Sequence, residues 1–298
     1  MKTYNSRLEK ISLAVFPYLW VIFFLAIPLV ILLKISFSEP IIGKPPYSDM
    51  LTWMDDHVLL IKVTLINFFS IFQDDLYVFT YMNSIQIALI STIFSLILGY
   101  PVAYFIATCD PKWRMTLLML IMLPFWSSFL IRIYAWVLLL SPTGIINSFL
   151  MHLGLIGSAL PLGSNSVAVI IGIVYCYLPF MILPLYASLQ KIDPLLLEAA
   201  YDLGCHPFKA FCKVTLPLSY KGILSGSMLI FIPAVGEFVI PELLGGPETL
   251  TIGRILWGEF FHNRDWPISA AIAVALMILT IVPLMIIQRL QRGDHEAS

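Results

Sequence analysis

Charge is scarce in this chain. Of 298 residues, 12% are Asp, Glu, Lys or Arg, while 59% are hydrophobic. The mean hydropathy is +0.91. Soluble domains carry about twice that share of charge, so the composition excludes one and indicates an integral membrane protein. A basic tract is also missing, and with it the electrostatic footprint of a nucleic-acid binder. The four cysteines, Cys109, Cys176, Cys205 and Cys212, form no C-x-x-C pair. Free thiols are therefore expected, without a disulfide framework. His57, His152, His206, His262 and His295 all fall outside the long apolar runs, and neither H-E-x-x-H nor G-x-S-x-G occurs. No catalytic residue, no metal site and no membrane enzyme is expected. G-x-x-x-x-G-K-[ST] is absent, and no polar stretch is long enough for a nucleotide-binding domain. There is no internal repeat of the kind that marks many self-sufficient secondary carriers.

The chain does contain long apolar runs. Six segments approach the roughly 20 residues that a spanning helix needs: 13–33, 85–107, 115–137, 167–189, 223–241 and 268–287. The first follows Lys2, Arg7 and Lys10 but is too long for a signal-peptide core, and no A-x-A-like site follows it. Residues 1–12 then form a cytoplasmic N-terminus, 13–287 the membrane domain and 288–298 a cytoplasmic tail. With the N-terminus inside, inner segments hold Lys2, Arg7, Lys10, Lys112, Arg114, Lys191, Lys209, Lys213, Lys221, Arg289 and Arg292. Outer loops hold Lys44, Lys62, Arg254 and Arg264. This asymmetry predicts both termini inside. Val58–Phe72 is too short and too polar at its flanks to be a seventh span, so 36–84 reads as an external region carrying a surface helix. Region 141–165, interrupted by Pro142, Gly144, Gly154, Gly157 and Pro161, reads as an outer loop with a short helix.

Segment 190–222 is the sizeable inner loop. Asp193-Pro194 has the form of an N-cap and first helical residue. Leu195, Leu196, Ala199 and Leu203 then share one helical face, and Gly204 suits a left-handed stop. Pro207 opens a second helix that ends at Leu216-Pro217. The order Glu198-Ala199-Ala200, then Gly204, then Leu216-Pro217 resembles the EAA loop of permeases of ATP-binding-cassette (ABC) importers. Thr215 stands where an apolar residue is more usual. The resemblance implies an all-α, six-helix membrane protein of the type I ABC importer permease fold. It also implies that Glu198, Ala199, Ala200, Gly204, Leu216 and Pro217 dock in a groove of a separate ATPase.

Other runs resemble the permeases of polyamine importers, of putrescine type more than the spermidine-preferring type. They are Pro124-Phe125-Trp126, Leu130 to Trp136, Leu178-Pro179-Phe180-Met181, Pro233 to Gly246 and Asn263 to Pro267. This likeness implies a bacterial inner-membrane protein paired with a second homologous permease. Two copies of an ABC ATPase and a periplasmic polyamine-binding protein complete the assembly. The chain itself would hold no cofactor, ATP and Mg²⁺ being bound by the ATPase.

Two charges fall within the expected spans, Arg132 and Glu237, and each needs a partner or a water-filled cavity. Glu237 lies at four-residue steps between Pro233 and Pro241, on one helical face. It either meets a substrate ammonium in passing or forms a structural pair with Arg132 or with the partner permease. Arg132 shares a face with Phe125, Phe129 and Trp136 and has a structural or gating role, pairing a carboxylate or capping carbonyls. Trp136, Tyr175 and Glu242 are further candidates for the substrate path. Trp126, Tyr134 and Tyr177 read equally well as packing or interface aromatics. Asp49, Asp55, Asp56, Asp74 and Asp75 make the outer region acidic, either as an anionic mouth or as ordinary solvated loop charge.

Overall fold

The computed structural model describes residues 15, 17–54 and 58–296. Expectations for residues 1–12, including Lys2, Arg7 and Lys10, and for Asp55, Asp56 and His57 lie outside the described residues. The chain divides into two compact units, Met1–Asp75 with Leu256–Leu279, and Leu76–Ile255 with Thr280–Ser298.

In the first unit, α1 (Pro17–Ser36) contains a π-turn at Ile22–Ala26, just ahead of Pro28. The surface helix expected over 58–72 is corrected. Val58–Ile61 is a strand, β2, paired antiparallel with β1 (Leu51–Met54) in the register Leu51↔Ile61. The helix, α2, starts only at Ile66 and runs to Gln73. Asn67 in its first turn donates to the carbonyls of Ser36 and Ser38, both at 2.9 Å. Those carbonyls lie at and just beyond the end of α1, where intrahelical donors run out.

The second unit opens with α3 (Asp75–Thr108), which begins ten residues ahead of the expected 85 because Leu76 to Ser84 continue the helix. The helix expected over 115–137 is broken. It becomes α4 (Pro111–Met122), a 3₁₀ turn at Leu123–Trp126, and α5 (Phe129–Leu140). Pro124 has no amide proton to donate, and the Ser127 hydroxyl takes the Pro124 carbonyl at 2.7 Å. A proline alone does not break a helix here, since α7 (Ser166–Leu189) stays continuous through Pro179 and Pro184. The Ser127-Ser128 pair supplies the extended backbone that redirects the chain. Between α5 and α7, α6 (Ile145–His152) is held by Asn147, whose amide bonds the Ser141 carbonyl and both backbone groups of Leu160.

Two short helices follow, α8 (Pro194–Asp202) and α9 (Pro207–Leu218), with a π-turn at Phe211–Thr215. Then come α10 (Tyr220–Val235) and α11 (Val239–Leu244), followed by α12 (Ile252–Gly258) and α13 (Trp266–Glu296), whose residues 256–258 and 266–279 belong to the first unit. The span expected over 223–241 therefore stops at Val235. Glu237 does not share a helical face with Pro233 and Pro241, because it lies between α10 and α11. Among the described residues, five helical stretches are long and apolar enough to cross a membrane: α1, α3, α5 with α6, α7 and α13 up to Met285. A sixth is formed if α9 and α10, joined at a 64° bend, count as one.

The core sits where α3, α7 and α10 meet, around Ala103, Ile106, Met181, Ile182, Leu185 and Ile230. Between apolar helices surrounded by lipid, close packing stands in for the hydrophobic drive. Gly222 makes it possible, since a Cβ there would lie 2.5 Å from Ser188 Cβ and 2.9 Å from the Pro184 carbonyl oxygen. Gly222→Ala should push α7 and α10 apart, an overpacking cost of about 1–3 kcal/mol. The thermal midpoint of the detergent-solubilised chain should fall by several degrees; an unchanged midpoint would show that this contact carries no load.

Candidate functional site

The loop between α7 and α10 is built from local signals. The Asp193 carboxylate accepts the Leu195 amide at 3.0 Å, and Pro194 opens α8. At the other end the Gly204 amide bonds the Tyr201 carbonyl at 2.8 Å and the Cys205 amide the Ala200 carbonyl at 3.0 Å. Gly204 turns the corner with φ of 76°. The His206 ring then accepts the Phe208 amide, and Pro207 starts α9. Glu198, Ala199, Gly204, Leu216 and Pro217 are exposed, and Ala200 is partly so. Around them stand bare apolar side chains: Leu195 at 64% exposure, Leu203 at 87% and Phe208 at 70%. An apolar corner of this kind marks an interaction surface. Thr215 is buried at the base of the loop, its hydroxyl without a partner among the described residues.

The second constellation lies on α5, α7 and the break after α10. Glu237 is partly exposed. One carboxylate oxygen accepts the Tyr177 hydroxyl at 2.5 Å. The other accepts the amides of Val239 at 3.0 Å and Ile240 at 3.4 Å, and so caps α11. Phe180 packs near Tyr177 at 6.1 Å and edge-on against Phe125 at 5.1 Å. Trp136 and Tyr175 meet edge to face at 5.5 Å. These rings and one carboxylate offer the groups that can hold an organic ammonium, an anion and π-faces.

Arg132 is 8% exposed, with its guanidinium 4.8 Å over the Phe125 ring and 5.7 Å over Phe129. Among the described residues no carboxylate lies within 4.0 Å of it, and it donates to no carbonyl. The expected pairing, with Glu237 or with broken-helix carbonyls, is thus corrected: aromatic faces take the cation instead. The contact with Phe125 comes through the 3₁₀ turn and not along one helix.

Glu242 on α11 is bonded to Arg254 at 2.6 Å, and Arg254 also donates to the Gly246 carbonyl at 3.1 Å. The sequence reading missed Arg254 as its partner, because the pairing depends on how the intervening loop folds back. Nearby, Asn83 bonds the Leu250 carbonyl at 2.6 Å and Ser84 accepts the Ile252 amide at 2.8 Å, which fixes that loop to α3. Of the acids expected on the outer side, Asp49 lies 4.0 Å from Lys34. Tyr100 is not singled out in the sequence, and Tyr177 reads there as a packing or interface aromatic without its carboxylate partner. Both stand opposite a polar partner distant in sequence, for which spacing gives no signal.

The family described as binding-protein-dependent transport system inner membrane component matches residues 87–293. The chain belongs to this family. It is a permease subunit of ABC importers, a multi-pass inner-membrane component and not an enzyme. The chain is 37% identical over 289 residues to the spermidine/putrescine transport system permease protein PotB of Haemophilus influenzae, covering 97% of this chain and 96% of that one. To the protein of the same name from Escherichia coli it is 38% identical over 273 residues, 92% of this chain and 94% of that one. In fold it resembles a permease chain of a bacterial alginate ABC transporter solved in complex with an alginate pentasaccharide-bound periplasmic protein. The TM-score there is 0.71 at 16% identity, covering 98% of both chains. The permease fold of type I importers is therefore shared across very different sequences.

Proposed function

We propose that this chain is one of two permeases in an ATP-driven importer that carries short polyamines, putrescine foremost, from periplasm to cytoplasm by alternating access. The observation that carries the substrate reading is the likeness, over nearly the whole chain, to relatives named for spermidine and putrescine. Glu237 with Tyr177, Phe180, Trp136 and Tyr175 supplies fitting chemistry, a carboxylate among aromatic faces. Glu242, half-exposed beside Arg254, offers a second anionic contact toward the outer side.

The corner formed by Glu198, Ala199, Ala200 and Gly204, with Leu216 and Pro217, is the docking element for an ABC ATPase. Two copies of that ATPase bind ATP and Mg²⁺ and power the cycle. A second, homologous permease completes the passage, and a periplasmic binding protein delivers the polyamine. Both termini face the cytoplasm, a reading that the Lys and Arg asymmetry supports. Arg132 is a structural or gating charge.

The test is reconstitution of the four-component complex in proteoliposomes, followed by uptake of labelled putrescine and spermidine. Putrescine uptake that requires ATP, and exceeds spermidine uptake, is expected. Faster spermidine uptake would reassign the substrate, since the relatives carry both names. Uptake that persists without ATP and follows an imposed ion gradient would overturn the importer reading.

A further inference from the structure

The docking loop is anchored to more than the two helices that flank it. Its π-turn begins at Phe211, whose ring stands edge-on to two tyrosines of α3. The centroids lie 5.5 Å from Tyr100, at 90°, and 5.7 Å from Tyr104, at 88°. The two tyrosines are four residues apart in α3 and so share one helical face. Further along, the chain bends by 64° between α9 and α10, and Ser219 is the residue at the bend. Its side chain is fully buried, and Tyr100 is 8% exposed. The Ser219 hydroxyl donates to the Leu216 carbonyl at 3.0 Å. Its single hydrogen is thereby used, so the Tyr100 hydroxyl donates to the Ser219 oxygen at 2.8 Å.

One tyrosine therefore touches the loop twice, through its ring at the π-turn and through its hydroxyl at the bend. Packing alone would be served by a phenylalanine. The hydroxyl adds a directional tie in a buried, low-dielectric place, where such bonds are geometrically exacting. Tyr100 also belongs to the core that joins α3 to Met181 on α7 and Ile230 on α10. Force applied at the exposed corner near Gly204 thus has two routes into the membrane domain. One runs along the chain into α10, and the other runs through Tyr100 into α3.

We propose that Tyr100 is a positioning residue for energy coupling. Its hydrogen bond to Ser219 makes α3 move with the docking loop, so that ATP hydrolysis on the partner is converted into reorientation of the passage. This inference rests on the reading of the loop as the ATPase-docking element.

The test uses the complete transporter, with both permeases, the ATPase and the binding protein, carrying Tyr100→Phe or Ser219→Ala. ATP hydrolysis and putrescine uptake are measured in the same vesicles. Hydrolysis should stay within about twofold of the unaltered complex while uptake falls about fivefold or more, the scale set by one hydrogen bond. The ATP consumed per polyamine carried rises accordingly. The double variant should be no worse than Ser219→Ala, which already lacks the Tyr100 bond together with the Ser219–Leu216 bond. Hydrolysis and uptake falling in equal proportion would show a merely structural role, and no change in either would show none; each result overturns the proposal. If Tyr100→Phe does not assemble, Ser219→Ala keeps the ring and is read by the same criteria. Co-purification separates the two claims. Failure of the unaltered chain to retain the ATPase would sink the docking reading itself, whereas retained ATPase with an unchanged coupling ratio sinks only the role of Tyr100.

Discussion

Gly204→Val should strip the ATPase from the purified complex and reduce polyamine uptake to less than about a tenth, while the chain still inserts in the membrane. Gly204 has φ of 76°, and a Cβ at that position would meet nothing within 4 Å. The added Cβ therefore clashes with none of the described residues. The substitution acts through the backbone, because an L-residue in the left-handed region is disfavoured by about 1–2 kcal/mol, and β-branched valine is among the least tolerant. The corner relaxes, and the angle between α8 and α9 that presents Leu203 and Phe208 is lost. A change of that angle by even a few degrees displaces every contact beyond it. Gly204→Asn separates strain from obstruction, since asparagine tolerates the left-handed region. Recovery of ATPase retention with asparagine assigns the defect to strain; loss with both assigns it to a surface too close to the partner for any side chain. Full retention of the ATPase by Gly204→Val would refute the docking assignment. Glu198 replaced by a bulky residue should show the same loss of retention.

Glu237→Gln should lower putrescine uptake by about tenfold or more with assembly and ATPase retention intact. The amide oxygen can still cap Val239 and Ile240, and the amide nitrogen can donate to the Tyr177 hydroxyl in place of accepting from it. Local geometry is thus largely kept while the negative charge is removed. A change of about 1.4 kcal/mol in the interaction with a cation is a factor of ten. Glu237→Ala differs, because it also uncaps α11 and should reduce the yield of assembled complex. Loss of assembly with Gln as well would mean that the carboxylate serves packing and not passage.

The parts of the architecture legible in the sequence were those fixed by neighbours along the chain. Asp193-Pro194 and Gly204 form their cap and corner through bonds that reach no further than five residues, so composition and spacing suffice. The apolar length of α7 likewise needs no tertiary knowledge. Elements fixed across the chain were not legible. Glu237 looked helical because Pro233, Glu237 and Pro241 keep a helical period. The chain leaves the helix at Gly236 because the carboxylate can cap the next turn and meet Tyr177, sixty residues earlier in sequence. The break at Ser127-Ser128 was hidden for a related reason, since two serines in an apolar run change mean hydropathy little. Val58–Ile61 is apolar and short, a pattern that a helix and a strand share, and its pairing with Leu51–Met54 decided for the strand. Arg132 is legible in the sequence as a charge within an apolar run, but no sequence rule reveals that the Phe125 and Phe129 ring faces would meet it.

The bare leucines and phenylalanine around Gly204 have a consequence for the cell as well as for transport. On the proposed orientation and docking, a newly inserted copy displays Leu203 and Phe208 to the cytoplasm until its ATPase arrives, the kind of surface that chaperones and quality-control proteases recognise. Docking would hide the same residues that condemn an unaccompanied subunit. Stoichiometry between permease and ATPase can then be enforced by clearance of the surplus, without any matching of their synthesis.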